Sequence, residues 1–224
     1  MALSLDAHVV GDLASHISLA LDFVGTIPAD ATDVEQCDTS SGWSECVVNT
    51  FHLCAQEAAS GSTGSWWKYS VCMFQQQYPA AGSTSRTYLE CAGLDPVHPI
   101  LRNQTCTRAE FPGVVAAISA ACAKEAGLAA DQVQQCATGA GGLALLKASM
   151  SRSSAFPKSL LLKVEPQWIQ VDGPDSCSEA AGGWSACEGF FDKTSCKDWK
   201  HCSSDDWAAH LRQRVCAQAG ISPC

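Results

Sequence analysis

Cysteine is the residue type in this chain that could do chemistry, and two of its fourteen cysteines lie in the stretch ECVVNTFHLC, residues 45–54. Metal binding, thiol-disulfide exchange or structural crosslinking could each use them. On one continuous helix Cys46 and Cys54 would lie about 12 Å apart along the axis, whereas a disulfide needs Cα atoms within roughly 7 Å. We therefore expect each to bond a cysteine elsewhere in the chain, which favours a disulfide framework over a local metal site.

The number of cysteines indicates an oxidising compartment. An even number spread along 224 residues is typical of a disulfide framework in a secreted or lysosomal protein. Asn103 begins an Asn-Gln-Thr glycosylation sequon, which points the same way. All fourteen cysteines are thus candidates for structural disulfides: Cys37, Cys46, Cys54, Cys72, Cys91, Cys106, Cys122, Cys136, Cys177, Cys187, Cys196, Cys202, Cys216 and Cys224.

Composition and charge exclude several classes of protein. A formal net charge of -9 without a basic cluster argues against a nucleic-acid partner. A hydrophobic fraction of 46% is enough to build a core. The apolar run at residues 114–123 is too short to cross a bilayer, so no membrane span is expected.

The first residues do not fit the expected compartment. MALSLDAHVVGDLAS has no basic segment, no long apolar core and no small-residue cleavage site, so it is not a signal peptide. A cysteine-dense chain without an export signal predicts that the natural protein begins further upstream.

Hydrophobic periodicity predicts an α/β fold with a helical insertion. A helix is expected over residues 3–14, a half-buried strand over 17–24 and a strand over 163–171 that Pro166 interrupts. Residues 37–154 are predicted to be mostly helical, with helices at 114–126, ended by Gly127, at 130–136 and at 143–152. A Cys-rich arm at 174–206 precedes a last helix at 207–218.

Several motifs resemble one known family. The pattern E-C-x-x-N-x4-C, formed by Glu45, Cys46, Asn49 and Cys54, is similar to the second half of the signature of the gamma-interferon-inducible lysosomal thiol reductase family. The first half in that family reads C-Q-H-G, but here DTSSG follows Cys37. SVCMFQ at residues 70–75, residues 122–146, WIQVDG at 168–173 and LRQRVCAQAGISPC at 211–224 resemble further family segments in the same order.

The resemblance implies a thioredoxin-like domain, N-terminally incomplete, that spans residues 1–224. Residues 1–28 and 160–224 would form its core, and the disulfide-stapled insertion would span 37–154. It also implies a thiol-disulfide oxidoreductase that reduces protein substrates in an acidic compartment without a cofactor. In the family a C-x-x-C at a helix N-terminus supplies the thiolate. This chain contains no C-x-x-C, so we expect no catalytic residue in it and place the pair before Met1. The cis-proline that directly precedes the family's tryptophan stands one residue earlier here, at Pro166.

Other interpretations remain open. The chain could be a catalytically inactive, disulfide-stapled extracellular binding protein on the same scaffold, or a saposin-like lipid-binding module. Zinc could use Cys177, Cys187, Cys196 and Cys202 with His201 and His210, but gaps of nine, eight and five residues between these cysteines fit staples better. His52 is interpreted as a surface or hydrogen-bonded histidine, and Trp66 and Trp67 as core.

Overall fold

The computed structural model describes residues 17–19, 21–23, 25–39, 43–77, 109–155, 161–164, 167–170, 179–180 and 183–184, with further positions at 10, 13, 209, 212–213, 216 and 220–222. The chain divides into two compact units. One comprises residues 21–154, and the other comprises residues 1–20 and 155–224.

The unit of residues 21–154 is helical. After a short 3-10 helix, Val34–Gln36, come α1 Trp43–Ala58, α2 Thr63–Gln77, α3 Phe111–Ala126, α4 Ala130–Ala137 and α5 Ala140–Ala155. The end of α3 is the predicted one, because Gly127 adopts the left-handed conformation, with φ of 73°, that a helix C-cap favours. The predicted helices at 114–126, 130–136 and 143–152 are confirmed, although each extends beyond the predicted bounds.

The centre of this unit is α1, in which every residue from Cys46 to Ala55 is buried. A helix buried on all sides needs neighbours around it, and α1 contacts α2, α3 and α4. Phe51, Tyr69, Met73, Phe111 and Val115 are among the most buried side chains of the resulting core. A second, smaller cluster lies where α1 meets α5, and it contains Cys37, Cys46, Leu53, Leu146 and Met150.

The strands are few and short. In the other unit β1 Ile17–Leu19, β2 Leu161–Val164 and β3 Gln167–Gln170 form a sheet in the order β1-β2-β3. β4 Glu179–Ala180 pairs with β5 Gly183–Trp184. All of these pairings are antiparallel. A βαβ unit requires a parallel pair joined by a helix, and the described strands contain none.

The prediction of an α/β, thioredoxin-like fold is therefore wrong for the described residues, which are predominantly helical. One cause lies after Leu19, where the expected strand stops. The backbone N–H of Leu21 donates to the Gln56 side chain at 2.8 Å, and that of Phe23 donates to Ser149 Oγ at 2.8 Å. Side-chain oxygens of α1 and α5 thus accept the hydrogen bonds that these backbone N–H groups would otherwise donate to a neighbouring strand.

A second cause lies at Pro166. The strand predicted at 163–171 with an interruption at Pro166 is present as two strands, β2 and β3, which pair antiparallel with Val164 opposite Gln167. Proline has no N–H to give to a central ladder, so a reversal there is favoured over a continuous strand.

The remaining fold predictions lie mainly outside the described residues. Of the helix at 3–14 only Val10 and Leu13 are described, and both are buried. Most of the Cys-rich arm at 174–206 lies outside, as does most of the last helix at 207–218, in which positions 209, 212–213 and 216 are helical. The division into a core at 1–28 and 160–224 and an insertion at 37–154 stays a prediction.

Candidate functional site

The family signature lies on and just before α1, and its cysteines are crosslinked. Cys46 is bonded to Cys37, with Cα atoms 6.2 Å apart, and Cys54 is bonded to Cys136, at 5.7 Å. Each of the two cysteines in ECVVNTFHLC thus bonds a cysteine other than its helical neighbour, as their spacing on α1 requires. The first bond ties the start of α1 to the preceding loop, and the second ties its end to α4.

The two polar residues of the signature, Glu45 and Asn49, both lie on α1. Glu45 lies in the first turn of α1, where a carboxylate is favoured by the helix dipole. Its Oε2 accepts a 2.6 Å hydrogen bond from the hydroxyl of Thr39. Asn49, one turn after Glu45, is buried with 4% exposure. The hydrogen bond from Thr39 to Glu45 links the segment before α1 to the first turn of the helix.

The Cys37–Cys46 disulfide is shielded from solvent. Its two residues are 4% and 0% exposed, and Cys37 Sγ lies 3.8 Å from Met150 Sδ. Thiol-disulfide exchange requires a thiolate to approach a sulfur atom directly. Among the described residues, the packing around these two sulfur atoms leaves little room for an external thiolate to approach.

A third disulfide lies at a groove. Cys72 of α2 is bonded to Cys122 of α3, with Cα atoms 5.6 Å apart. A shallow groove of about 340 Å³ runs beside this bond, lined by apolar side chains such as Ile118 and by the polar ends of Gln76 and Glu125. Cys72 is 8% exposed, and among the six cysteines in these three bonds Cys136 is more exposed, being only partly buried.

Sequence reasoning missed a buried polar cluster between α1, α2 and α3. Tyr69 and Ser119 share a 2.7 Å hydrogen bond between their hydroxyls. Beside it, His52 Nδ1 lies 2.9 Å from Ser70 Oγ, while His52 Nε2 is buried without a hydrogen-bond partner among the described residues. Burial lowers the pKa of His52 from 6.5 to about 3, so the imidazole is neutral in the folded state above that pH. The signal available in the sequence was a histidine and a serine at the centres of two apolar helices.

His52 was interpreted as a surface or satisfied histidine rather than a ligand; it is not on the surface, and it is hydrogen-bonded to Ser70 through one ring nitrogen. Its side chain is 1% exposed, and only one of its two ring nitrogens is bonded. The interpretation of Trp66 and Trp67 as core residues is confirmed, because they are 2% and 3% exposed and contact each other edge to face.

Other candidate residues lie outside the described part of the chain: the cysteines Cys91, Cys106, Cys177, Cys187, Cys196, Cys202 and Cys224, the sequon residue Asn103, and the zinc candidates His201 and His210. Cys216 is described, buried and disulfide-bonded. Within the described residues no cysteine is free, and no group of three potential metal ligands comes together. Nor does any described helix have the length and apolarity needed to cross a membrane.

Comparison with known proteins gives one match. Residues 4–93 match the model of the family described as gamma interferon inducible lysosomal thiol reductase. The matched segment contains Cys37, Glu45, Cys46, Asn49 and Cys54, and it confirms the family resemblance over that part of the chain. No curated protein and no solved structure matches the chain.

Proposed function

From the match of residues 4–93 to the gamma interferon inducible lysosomal thiol reductase family, we propose that this chain provides the disulfide-stapled scaffold of a thiol-disulfide reductase. The family indicates a thiol reductase in general. Its substrates would be proteins that carry disulfides, and its compartment would be lysosomal or extracellular. The family match is the observation that carries this proposal.

The reaction assigned to such a protein needs two thiols. A thiolate attacks one sulfur of the substrate disulfide and forms a mixed disulfide, and the other substrate sulfur leaves as a thiolate that takes up a proton. A second thiol of the enzyme then displaces the substrate. The substrate gains two electrons and becomes a dithiol, while the enzyme pair becomes a disulfide.

The cysteines of the described residues do not suit the attacking role. None is free, and this chain has no C-x-x-C in its 224 residues. Cys37, Cys46, Cys54 and Cys122 have at most 4% of their surface exposed. We therefore assign the three described disulfides to the scaffold and not to the exchange reaction.

A disulfide-reduction assay near pH 4.5 and near pH 7 tests the proposal on two proteins. One is this chain, and the other is the chain extended upstream to the next in-frame start. Activity in the extended protein alone supports a reductase whose reactive pair lies outside these 224 residues. Activity in this chain itself would mean that a disulfide assigned to the scaffold is reactive. The variant Cys72→Ser/Cys122→Ser, which removes the bond beside the groove, then tests whether that bond is the reactive one.

The second candidate is a catalytically inactive binding protein on the same scaffold. The observation that favours it is that every described cysteine is already bonded. Inactivity of both proteins in the reduction assay would support this candidate and contradict the reductase. We also propose that Asn103 is glycosylated, under either candidate function. Mass spectrometry of the secreted protein before and after glycosidase treatment tests this.

A further inference from the structure

The imidazole of His52 on α1 lies among aromatic rings that come from two other segments of the helical unit. Phe74 of α2 stacks on it with ring centroids 4.8 Å apart, and Tyr69 of α2 meets it edge to face at 5.9 Å. Phe23, from the segment before α1, lies at 6.0 Å. The ring therefore joins α1, α2 and the segment at residues 21–23.

This arrangement favours only the neutral imidazole. Neutral His52 can make its single hydrogen bond to Ser70 and pack its carbon atoms against the rings. A protonated imidazole carries a second N–H donor at Nε2, which has no acceptor among the described residues. A charge buried without a partner is strongly unfavourable, so protonation requires the ring to reach water.

The charged groups on the surrounding elements do not offset this cost. Asp22, beside Phe23, is bound to Arg152 by an ion pair of 2.7 Å. On α2, Lys68 is exposed, and burial raises the pKa of Tyr69, so its hydroxyl stays neutral. On α1, Glu57 is exposed and Glu45 accepts from Thr39. Within the described residues, no carboxylate forms an ion pair with His52.

We propose that His52 is an acid-sensitive latch: acidification opens the contact between α1, α2 and Phe23, and the opened state exposes more of the rings of Phe23 and Phe74, which are partly exposed in the closed state. The latch is a property of the helical unit and does not depend on the proposed reductase activity. It would give the same chain a smaller exposed aromatic surface at neutral pH and a larger one in an acidic compartment.

The size of the effect follows from proton linkage. In the opened state His52 titrates with its ordinary pKa of 6.5, and in the closed state burial lowers the pKa to about 3. Because the opened state binds the proton more tightly, its population rises as pH falls between these values. From pH 7.4 to pH 4.5 the opening equilibrium constant should rise roughly 50- to 100-fold.

Hydrogen exchange of the α1 and α2 amides, expressed as protection factors at both pH values, measures this opening. The test variant is His52→Asn, because an asparagine amide reaches the position of Nδ1, can bond Ser70 and does not titrate. The matched control is Tyr69→Phe, which removes a neighbouring hydroxyl and keeps His52. We expect the pH effect in the wild type and in Tyr69→Phe, and at most a few-fold change in His52→Asn.

Two results would overturn the latch. The first is a protection factor in the wild type that does not change with pH, and the second is an equal change in wild type and His52→Asn. If His52→Asn does not fold, an NMR pH titration of the His52 imidazole in the wild-type protein tests the latch instead. The latch is supported if the imidazole resonance of the folded protein keeps the chemical shift of neutral histidine down to about pH 4 while amide hydrogen exchange becomes faster. Titration near pH 6.5 in the fully folded protein contradicts it.

Discussion

Tyr69 and Ser119 connect α2 to α3 through a 2.7 Å hydrogen bond between two hydroxyls, and both residues are buried, at 0% and 2% exposure. Because neither hydroxyl is accessible to water, each needs the other, and the pair fixes the register between two helices that are otherwise held by apolar contacts and the Cys72–Cys122 bond.

Removing one hydroxyl of this pair should be costly. We expect Tyr69→Phe and Ser119→Ala each to lower the free energy of unfolding by about 1–3 kcal/mol, since each leaves a buried polar group unpaired. The double variant should lose less than the sum of the two. Urea denaturation of all four proteins measures the coupling, and additive losses would contradict the described bond.

His52 should make the folded protein less stable in acid. Its folded-state pKa, about 3, lies below its unfolded value of 6.5. The unfolded chain therefore binds the proton first, and the stability present above pH 6.5 is lost progressively as pH falls towards 3. Between pH 7.4 and 4.5 we expect a loss of about 2–3 kcal/mol from this one group.

Urea unfolding curves at the two pH values, with disulfides intact, measure that loss. In His52→Asn the difference between the two pH values should shrink by the same amount, because the other titrating groups are unchanged. An undiminished difference would show that other groups cause the acid sensitivity.

The disulfides should differ in their contribution to stability according to the length of chain that they close. Cys54–Cys136 spans 82 residues and Cys37–Cys46 spans nine. Because the Cys72–Cys122 bond shortens the loop that Cys54–Cys136 closes, the chain-entropy model gives Cys54–Cys136 roughly 3.7 and Cys37–Cys46 roughly 2.5 kcal/mol. We expect Cys54→Ala/Cys136→Ala to lower the melting temperature more than Cys37→Ala/Cys46→Ala. The reverse order would mean that packing around Cys37 matters more than loop closure.

Two adjacent glycines in α5 should respond in opposite ways to alanine. A Cβ on Gly142 would lie 2.7 Å from the carbonyl oxygen of Cys136 and 2.8 Å from that of Ala137, and neither backbone atom can move freely. Gly142→Ala should therefore destabilise the protein by about 1–3 kcal/mol.

Gly141 provides the matched control. A Cβ there meets Cys136 Sγ at 3.8 Å, which is an ordinary contact. Gly141→Ala should stabilise the helix by about 0.5–1 kcal/mol, because alanine loses less backbone entropy than glycine. Thermal unfolding of both variants measures the contrast, and equal effects would contradict the close packing of α4 against α5.

The helices of residues 111–155 and the crosslinked state of the described cysteines could be predicted from the sequence because both depend on local signals. The end of α3 at Gly127 follows from a glycine after an apolar run, and the separation of Cys46 from Cys54 follows from helix geometry. The partners Cys37 and Cys136 could not be predicted, because pairing depends on which helices meet in three dimensions.

Strands are present within both predicted ranges, but the first is shorter than predicted because long-range contacts override local alternation. Apolar and polar residues alternate over 17–24 as in a strand, but the side chains of Gln56 and Ser149 accept the hydrogen bonds of the Leu21 and Phe23 backbone N–H groups. The polar cluster at His52 was missed for a related reason. A histidine within an apolar helix does not reveal whether it will meet Ser70 and three aromatic rings or water.

The two long disulfides of the helical unit are nested, because the Cys72–Cys122 bond lies within the span closed by Cys54–Cys136. A single protease cut anywhere between residues 72 and 122 would thus leave two fragments that both bonds still join. The nicked protein would migrate as one species on a non-reducing gel and as two after reduction. In a compartment rich in proteases, such a chain can lose its backbone continuity and keep its helices together.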